Sequence, residues 1–224
     1  LGKISYLGHS AFEILSGGKT ILVDPWLTGN PAAAKKASEI SAADLILVTH
    51  DHGDHGLQDA IEIATRTKAS LVGIYELAVH ATSMGVKDSV GLNIGGTANI
   101  KGVNVTMVQA FHSSGKGSPV GFIFDAGEGG IYHLGDTSLF QDMKLIGEIY
   151  KPKIALVPVG GYYTMGPEEA AIAVSFIKPK VAIPMHYKTF PVLAQTAERF
   201  VKHVKEKAPE VKLVAIKPGE SYEF

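Results

Sequence analysis

The chain has 224 residues, 21 basic and 22 acidic, giving a net charge of −1, and it contains no cysteine. That balance argues against a surface for long nucleic acids, which asks for a basic excess. The missing cysteines exclude disulfides, thiolate metal sites and cysteine nucleophiles. Hydrophobic residues at 46% against 19% charged describe a globular chain of about one domain, residues 1–224. No apolar run approaches the ~18 residues of a membrane span, and residues 1–6 carry no signal-peptide core. A cytoplasmic protein with no membrane partner is the expectation.

Strands are predicted at residues 4–7, 11–15 and 20–24, with a hairpin turn at residues 16–19. Residues 44–49 form an apolar run of strand length, consistent with burial on both faces. Residues 57–67 place Leu57, Ala60, Ile61 and Ala64 on one helical face. A strand at 71–74 and a helix at 76–84, ended by Gly85, follow. Strands are then predicted at 103–110, 120–125 and 131–134, a helix at 138–146 and a buried strand at 154–159. Residues 167–177 are a helix with Pro167 at its first position and Glu168 and Glu169 at its positive end. A strand at 181–185, an amphipathic helix at 193–207 and a strand at 212–216 complete the series.

The informative segment is Thr49-His50-Asp51-His52-Gly53-Asp54-His55-Gly56, between the apolar strand and the first helix. With His and Asp each at about 4% of the chain, chance supplies its His-x-His-x-Asp-His pattern roughly 6 × 10⁻⁴ times over all starting positions. His50 and His52 lie one residue apart, so in extended backbone their side chains share one side and can chelate one ion. Asp54 and His55 come as the chain turns toward the helix and can serve a second ion. His112, Asp136 and His186 each follow a predicted strand, where strand ends converge on one sheet edge. Imidazole and carboxylate suit several divalent metals, and the set alone does not choose among them.

The combination resembles the metallo-β-lactamase fold superfamily, and the resemblance covers nearly the whole chain. The segments Tyr6-Leu7-Gly8-His9-Ser10, Val23-Asp24-Pro25-Trp26 and Pro184-Met185-His186-Tyr187 are similar to the branch of ascorbate-6-phosphate lactonase and related metal-dependent hydrolases. The resemblance implies an α/β (α+β) protein, a four-layer αββα sandwich of two mixed sheets with outer helices. It implies a binuclear centre, with His50, His52 and His112 on one ion, Asp54, His55 and His186 on the other, and Asp136 bridging. Zinc is the first expectation for both ions, with manganese, nickel, iron or cobalt as alternatives. The flavodiiron branch usually has Glu where His52 stands, which argues against oxygen chemistry.

Two metals close together lower the pKa of a shared water toward ~7 and so generate a nucleophile at neutral pH. The expected activity is hydrolysis of a small ester, lactone or phosphate ester. The alternatives are phosphodiesterase or nuclease chemistry and a non-catalytic metal-binding protein. Asp54 is expected to aim the nucleophile as well as to bind metal. Asp24 is expected to accept the free N–H of a ligand histidine, against the alternative of a turn carboxylate before Pro25. His9 is read either as a catalytic residue that protonates the leaving group or as a structural histidine of the turn. Tyr162 and Tyr163 are candidates for a pocket wall, although tyrosines more often bury a ring and satisfy one hydroxyl. Residues 113–119 are read as a connecting loop, with a substrate lid as the alternative. Lys116 and Lys188 are candidates to meet a phosphate, against the commoner solvated lysine. His80 and His133 are expected to be structural and His203 to lie on the surface. Relatives in the lactonase branch suggest a homo-oligomer.

Overall fold

The computed structural model describes residues 1–224. The first half forms strands β1 (Lys3–Gly8), β2 (Ala11–Ser16), β3 (Lys19–Val23), β4 (Leu45–Leu47), β5 (Ser70–Ile74) and β6 (Ser89–Leu92), with helices α1 (Leu57–Thr67) and α2 (Tyr75–Ser83). The pairs β1–β2 and β2–β3 are antiparallel, and the steps from β3 to β6 are parallel. The second half follows the same plan. Its strands are β7 (Thr97–Ile100), β8 (Val103–Gln109), β9 (Val120–Asp125), β10 (Ile131–His133), β11 (Ile154–Pro158), β12 (Val181–Met185) and β13 (Lys212–Leu213), with helices α3 (Met143–Tyr150), α4 (Pro167–Ile177) and α5 (Glu198–Lys207). Pairing is antiparallel from β7 to β10 and parallel from β10 to β13. A last strand, β14 (Ser221–Glu223), returns to pair with β1 and gives the first sheet its seventh member.

Alternation along the strands assigns the layers. In the second sheet Val103, Val105, Met107, Phe122, Phe124, Ile154, Leu156, Val181 and Ile183 join the core shared with the first sheet. Their neighbours Val108, Ile123, Tyr132, Ala155, Val157 and Ala182 point the other way, into a second core with α3, α4 and α5. The period of two places one set on each face. On the first sheet Ala60, Ile61, Ile63 and Ala64 of α1 and Leu77 and Ala81 of α2 cover the outer side. The result is the expected αββα sandwich. No helix is long and apolar enough to cross a membrane.

Several predicted boundaries move for local reasons. The helix predicted at 138–146 begins at Met143 instead, because Ser138 N–H bonds to Phe111 O and holds this stretch against the loop of His112. The helix predicted at 193–207 starts at Glu198, since Ala194 N–H bonds to Gly160 O and Lys188 N–H to Ala194 O. The strands β6, β7 and β14 escaped prediction. They are short, lie at or beside sheet edges and carry Gly, Asn, Ser or Glu in place of a β-branched run.

Two backbone hydrogen bonds join the sheets at one edge of the sandwich. Val120 N–H, at the start of β9, donates to Thr49 O beyond β4 at 3.1 Å. His186 N–H, just beyond β12, donates to His9 O in the β1–β2 turn at 2.8 Å. The strand ends that carry the motif residues therefore meet there.

A candidate metal centre

All seven residues expected to bind metal converge at this edge. His50 Nε2 lies 3.0 Å from His52 Nδ1, and His112 Nε2 lies 3.3 Å from the same atom. Asp136 Oδ2 stands 3.1 Å from His186 Nε2, 3.2 Å from His55 Nε2 and 3.6 Å from His112 Nε2. Potential donor atoms form three overlapping groups, each within 4.8 Å: His50, His52 and His112; His50, His55 and Asp136; and His9, Asp54, His55 and His186. Asp136 thus neighbours residues of both outer groups, the position a bridging carboxylate would take.

The local backbone makes this convergence possible. Residues 53–55 form a 3₁₀ turn that ends at Gly56, whose φ of 69° starts α1. A Cβ at Gly56 would collide with backbone atoms of Pro25 and Trp26, so only glycine lets the motif pack against residues 24–26. His9, Asp24 and His186 also hold left-handed backbone, with φ of 59°, 44° and 55°. Such conformations cost about 1–3 kcal/mol each and persist where surrounding structure over-determines them.

Asp24 is fully buried and makes three hydrogen bonds. Its Oδ1 accepts from Thr49 N–H at 2.8 Å, and its Oδ2 accepts from Thr49 Oγ1 and from His55 Nδ1, both at 2.7 Å. The Thr49 hydroxyl spends its one proton on Asp24, so toward His50 Nδ1, 3.1 Å away, it can only accept. The proton of His50 therefore sits on Nδ1, and that of His55 on Nδ1 as well. In each neutral imidazole Nε2 then turns a lone pair into the cluster; at His55 this requires a bound cation to displace the second proton that Asp136 and Asp24 favour. One carboxylate fixes the tautomers of two histidines, as outer-shell carboxylates do in metal sites.

Burial is the main electrostatic influence. It pushes His50 down to about 2 and lowers His112, so both stay neutral and keep their lone pairs at neutral pH. Burial also pushes His9 down to about 4, against the hydrogen bond to Asp54 that works upward. Burial works to raise Asp136, but the charges of His55 and His186 outweigh it and hold the carboxyl well below its ordinary value. For Asp54 burial likewise works upward, and the hydrogen bond from His9 with the charge of His55 prevails, so it is lowered. His55 runs the other way: burial works to lower it, and the carboxylates of Asp136 and Asp24 hold it well above 6.5.

The remaining candidates divide. His9 is fully buried behind Asp54, donating from Nε2 to Asp54 Oδ2 at 3.1 Å while Nδ1 accepts from Thr189 Oγ1 at 2.9 Å. It does not line the cavity in front of the cluster. That cavity, about 520 Å³, is bounded by Trp26, His52, Asp54, His112, Ser113, Asp136, Tyr163 and Phe190. Tyr163 therefore takes the wall position expected of the tyrosine pair, and Tyr162 stacks edge-on behind it. Neither Lys116 nor Lys188 lines the cavity: Lys116 sits 3.5 Å from Asp51, and Lys188 faces a separate groove beside α5. The loop 113–119 is pinned, since Asp51 Oδ1 accepts from Gly115 N–H at 2.7 Å and Ser114 Oγ at 3.0 Å. Sequence reasoning missed Asp51, Thr49, Thr189 and Phe190. Only the placing of Asp51 between two motif histidines could have drawn attention beforehand. His133 is the packed histidine it was expected to be, bonded to Ser10 O and to Gly135 N–H.

Residues 3–186 match the model of the beta-lactamase superfamily domain. The chain belongs to the metallo-β-lactamase superfamily. Within this superfamily it is 52% identical to a UPF0173 metal-dependent hydrolase of Methanopyrus kandleri, covering 99% of each chain. It is 47% identical to a UPF0173 metal-dependent hydrolase of Korarchaeum cryptofilum, again over 99% of each. Among solved structures, the metallo hydrolase Igni18 of Ignicoccus hospitalis superposes with a TM-score of 0.91 at 40% identity, over 100% of this chain and 99% of that one. The superfamily fold and the His/Asp cluster together make a centre able to bind metal.

Proposed function

We propose that the chain is a hydrolase that cleaves a small ester, lactone or phosphate ester at a pair of divalent metal ions, zinc being the first expectation. The observation that carries this reading is a set of buried polar atoms without hydrogen-bond partners: His55 Nε2, His186 Nε2 and Asp136 Oδ1. Both Nε2 atoms lie about 3 Å from Asp136 Oδ2, the other oxygen of that carboxylate, without hydrogen-bonding geometry. Unpaired buried polar atoms are costly, and an ion accepting their lone pairs removes that cost. An all-nitrogen and oxygen donor set suits such ions. In this reading His50, His52 and His112 hold one ion, Asp54, His55 and His186 the other, and Asp136 both. The hydrolase names of the relatives at 52% and 47% identity support the reaction class.

A metal pair there supplies Lewis acidity and a water of lowered pKa. The chain's own residues orient the attack. His9 holds Asp54 Oδ2 from behind, which leaves Oδ1 to accept from the nucleophilic water and aim it. His9 is thus a positioning residue, and Thr189 holds it in turn. The cavity admits a small molecule, within the ~300–1,000 Å³ range of ligand pockets.

The test is reconstitution with zinc, manganese, nickel, iron or cobalt, with bound metal counted and hydrolysis measured on ester, lactone and phosphodiester panels. Two ions per chain and turnover that collapses in His52→Ala and Asp54→Ala are expected. Two bound ions with no turnover on any panel would leave a metal-binding protein without catalysis.

A further inference from the structure

The walls of the cavity that lie beyond the histidine and aspartate cluster are aromatic. Trp26 and Phe190 stack on each other at 5.9 Å between ring centroids and 26° between planes. His9 braces both rings edge-on, at 5.3 Å to Trp26 and 5.5 Å to Phe190. Tyr163 is propped by the edge-on ring of Tyr162 at 4.8 Å. Ser113 is the one other polar side chain on the wall, and no Lys or Arg lines it. The nearby lysine Lys116 is engaged with Asp51, and Lys188 opens onto the other groove.

We propose that the substrate is a carbonyl ester or lactone carrying a flat, apolar group, a phenyl ring being the simplest, which lies against Trp26, Phe190 and Tyr163. This rests on the hydrolytic reading above and narrows it. Water adds to the carbonyl carbon, the bond from that carbon to the alkoxy oxygen breaks, and the alcohol leaves with a proton from the water. A second anionic group further along the substrate, such as a phosphate, finds no cation on these walls, and its desolvation is uncompensated. A flat apolar group instead gains ring stacking on surfaces that are already braced, so little ordering is needed on binding. Each aromatic contact is worth about 2–10-fold in affinity, from ~0.5–1.5 kcal/mol per pair.

Trp26 is the only tryptophan, so its fluorescence reports occupancy without turnover. In zinc-loaded protein, benzylacetone, a neutral ketone that cannot be hydrolysed, is expected to change Trp26 emission saturably. Inorganic phosphate at the same concentration is expected to leave it unchanged. Binding should weaken about 3–10-fold in Tyr163→Ala and in Phe190→Ala. In parallel, kcat/KM for ethyl hydrocinnamate over that for ethyl acetate, two esters of one alcohol, should fall by the same factor in Tyr163→Ala and recover in Tyr163→Phe. Using the ratio cancels any general loss from misfolding or metal. If wild-type protein hydrolyses esters but shows no preference for the phenyl ester and no saturable response to benzylacetone, the proposal is overturned while the hydrolytic reading stands. If benzylacetone saturates Trp26 and no ester, lactone or phosphate ester is turned over, the hydrolytic reading fails and the proposed substrate falls with it.

Discussion

Replacing Asp24 by Asn tests the tautomer argument directly. Asparagine tolerates the left-handed backbone at this position, so the exchange leaves the fold of the turn intact. With its oxygen kept toward Thr49 N–H, the new amide nitrogen faces Thr49 Oγ1 and His55 Nδ1, both 2.7 Å from the original Oδ2. An amide nitrogen donates and does not accept. His55 must then present a lone pair at Nδ1 and carry its proton on Nε2, the atom turned into the cluster. Thr49 can no longer give its proton to position 24, and its hydroxyl is freed to donate to His50 Nδ1, displacing that proton to Nε2 as well. Loss of such an outer partner typically costs 10–100-fold in metal affinity, and here two ligands are affected, so about 100-fold is expected. Two charge-assisted bonds become neutral ones, at about 1 kcal/mol each. The sum of about 2 kcal/mol lowers the melting temperature of a chain this size by roughly 4–8 °C. Zinc affinity is measured by competition with a chromophoric chelator, and stability of the metal-stripped protein by urea unfolding. A variant that melts lower yet binds zinc as tightly as the parent would refute the tautomer argument.

Other outcomes follow from the same geometry. Asp51→Ala removes the acceptor that pins Ser114 and Gly115, so zinc binding should weaken about 10-fold and trypsin should cut after Lys116 faster. Gly56→Ala forces a Cβ into the backbone of Pro25 and Trp26 at a φ of 69°, for a loss of roughly 2–4 kcal/mol in urea unfolding. Burial lowers His9, His50, His112 and His133. Folded, these four bind fewer protons than unfolded, so their stabilisation is full above about pH 6.5 and drains as pH falls through their folded values. His55, raised by Asp136 and Asp24 against its burial, contributes below that pH and loses its part as pH rises. Four against one, the metal-stripped protein should show a lower urea midpoint at pH 5 than at pH 7. An unchanged or higher midpoint at pH 5 would contradict the assignment.

The cluster could be read from the sequence because its members are chemically distinctive and stand at fixed places. His112, Asp136 and His186 each close a predicted strand, and parallel strands deliver such residues to one edge. The layered fold was legible through the resemblance that the motif residues carry, since apolar runs such as 120–125 and 154–159 fit an ordinary parallel α/β sheet as well. What was not readable depended on tertiary partners. Nothing local marks Phe190 as a neighbour of Trp26, or Thr189 as a partner of His9, since 164 and 180 positions respectively separate them. Asp51 looked like a spacer between two histidines, and only the folded loop 113–119 gives it a task. The late start of α3 has the same origin, because the bond from Ser138 to Phe111 O competes with the helix there.

The pairing of β14 with β1 has a kinetic consequence. Lys3 faces Glu223, and Ser5 faces Ser221, so β1 waits for a strand more than 200 positions further along to find its neighbour. Until then one margin of β1 has free N–H and C=O groups, a template for another chain to join. Contacts so distant along the polypeptide slow the final closure. Dilute, cool refolding should therefore recover more monomeric product than rapid refolding at high concentration.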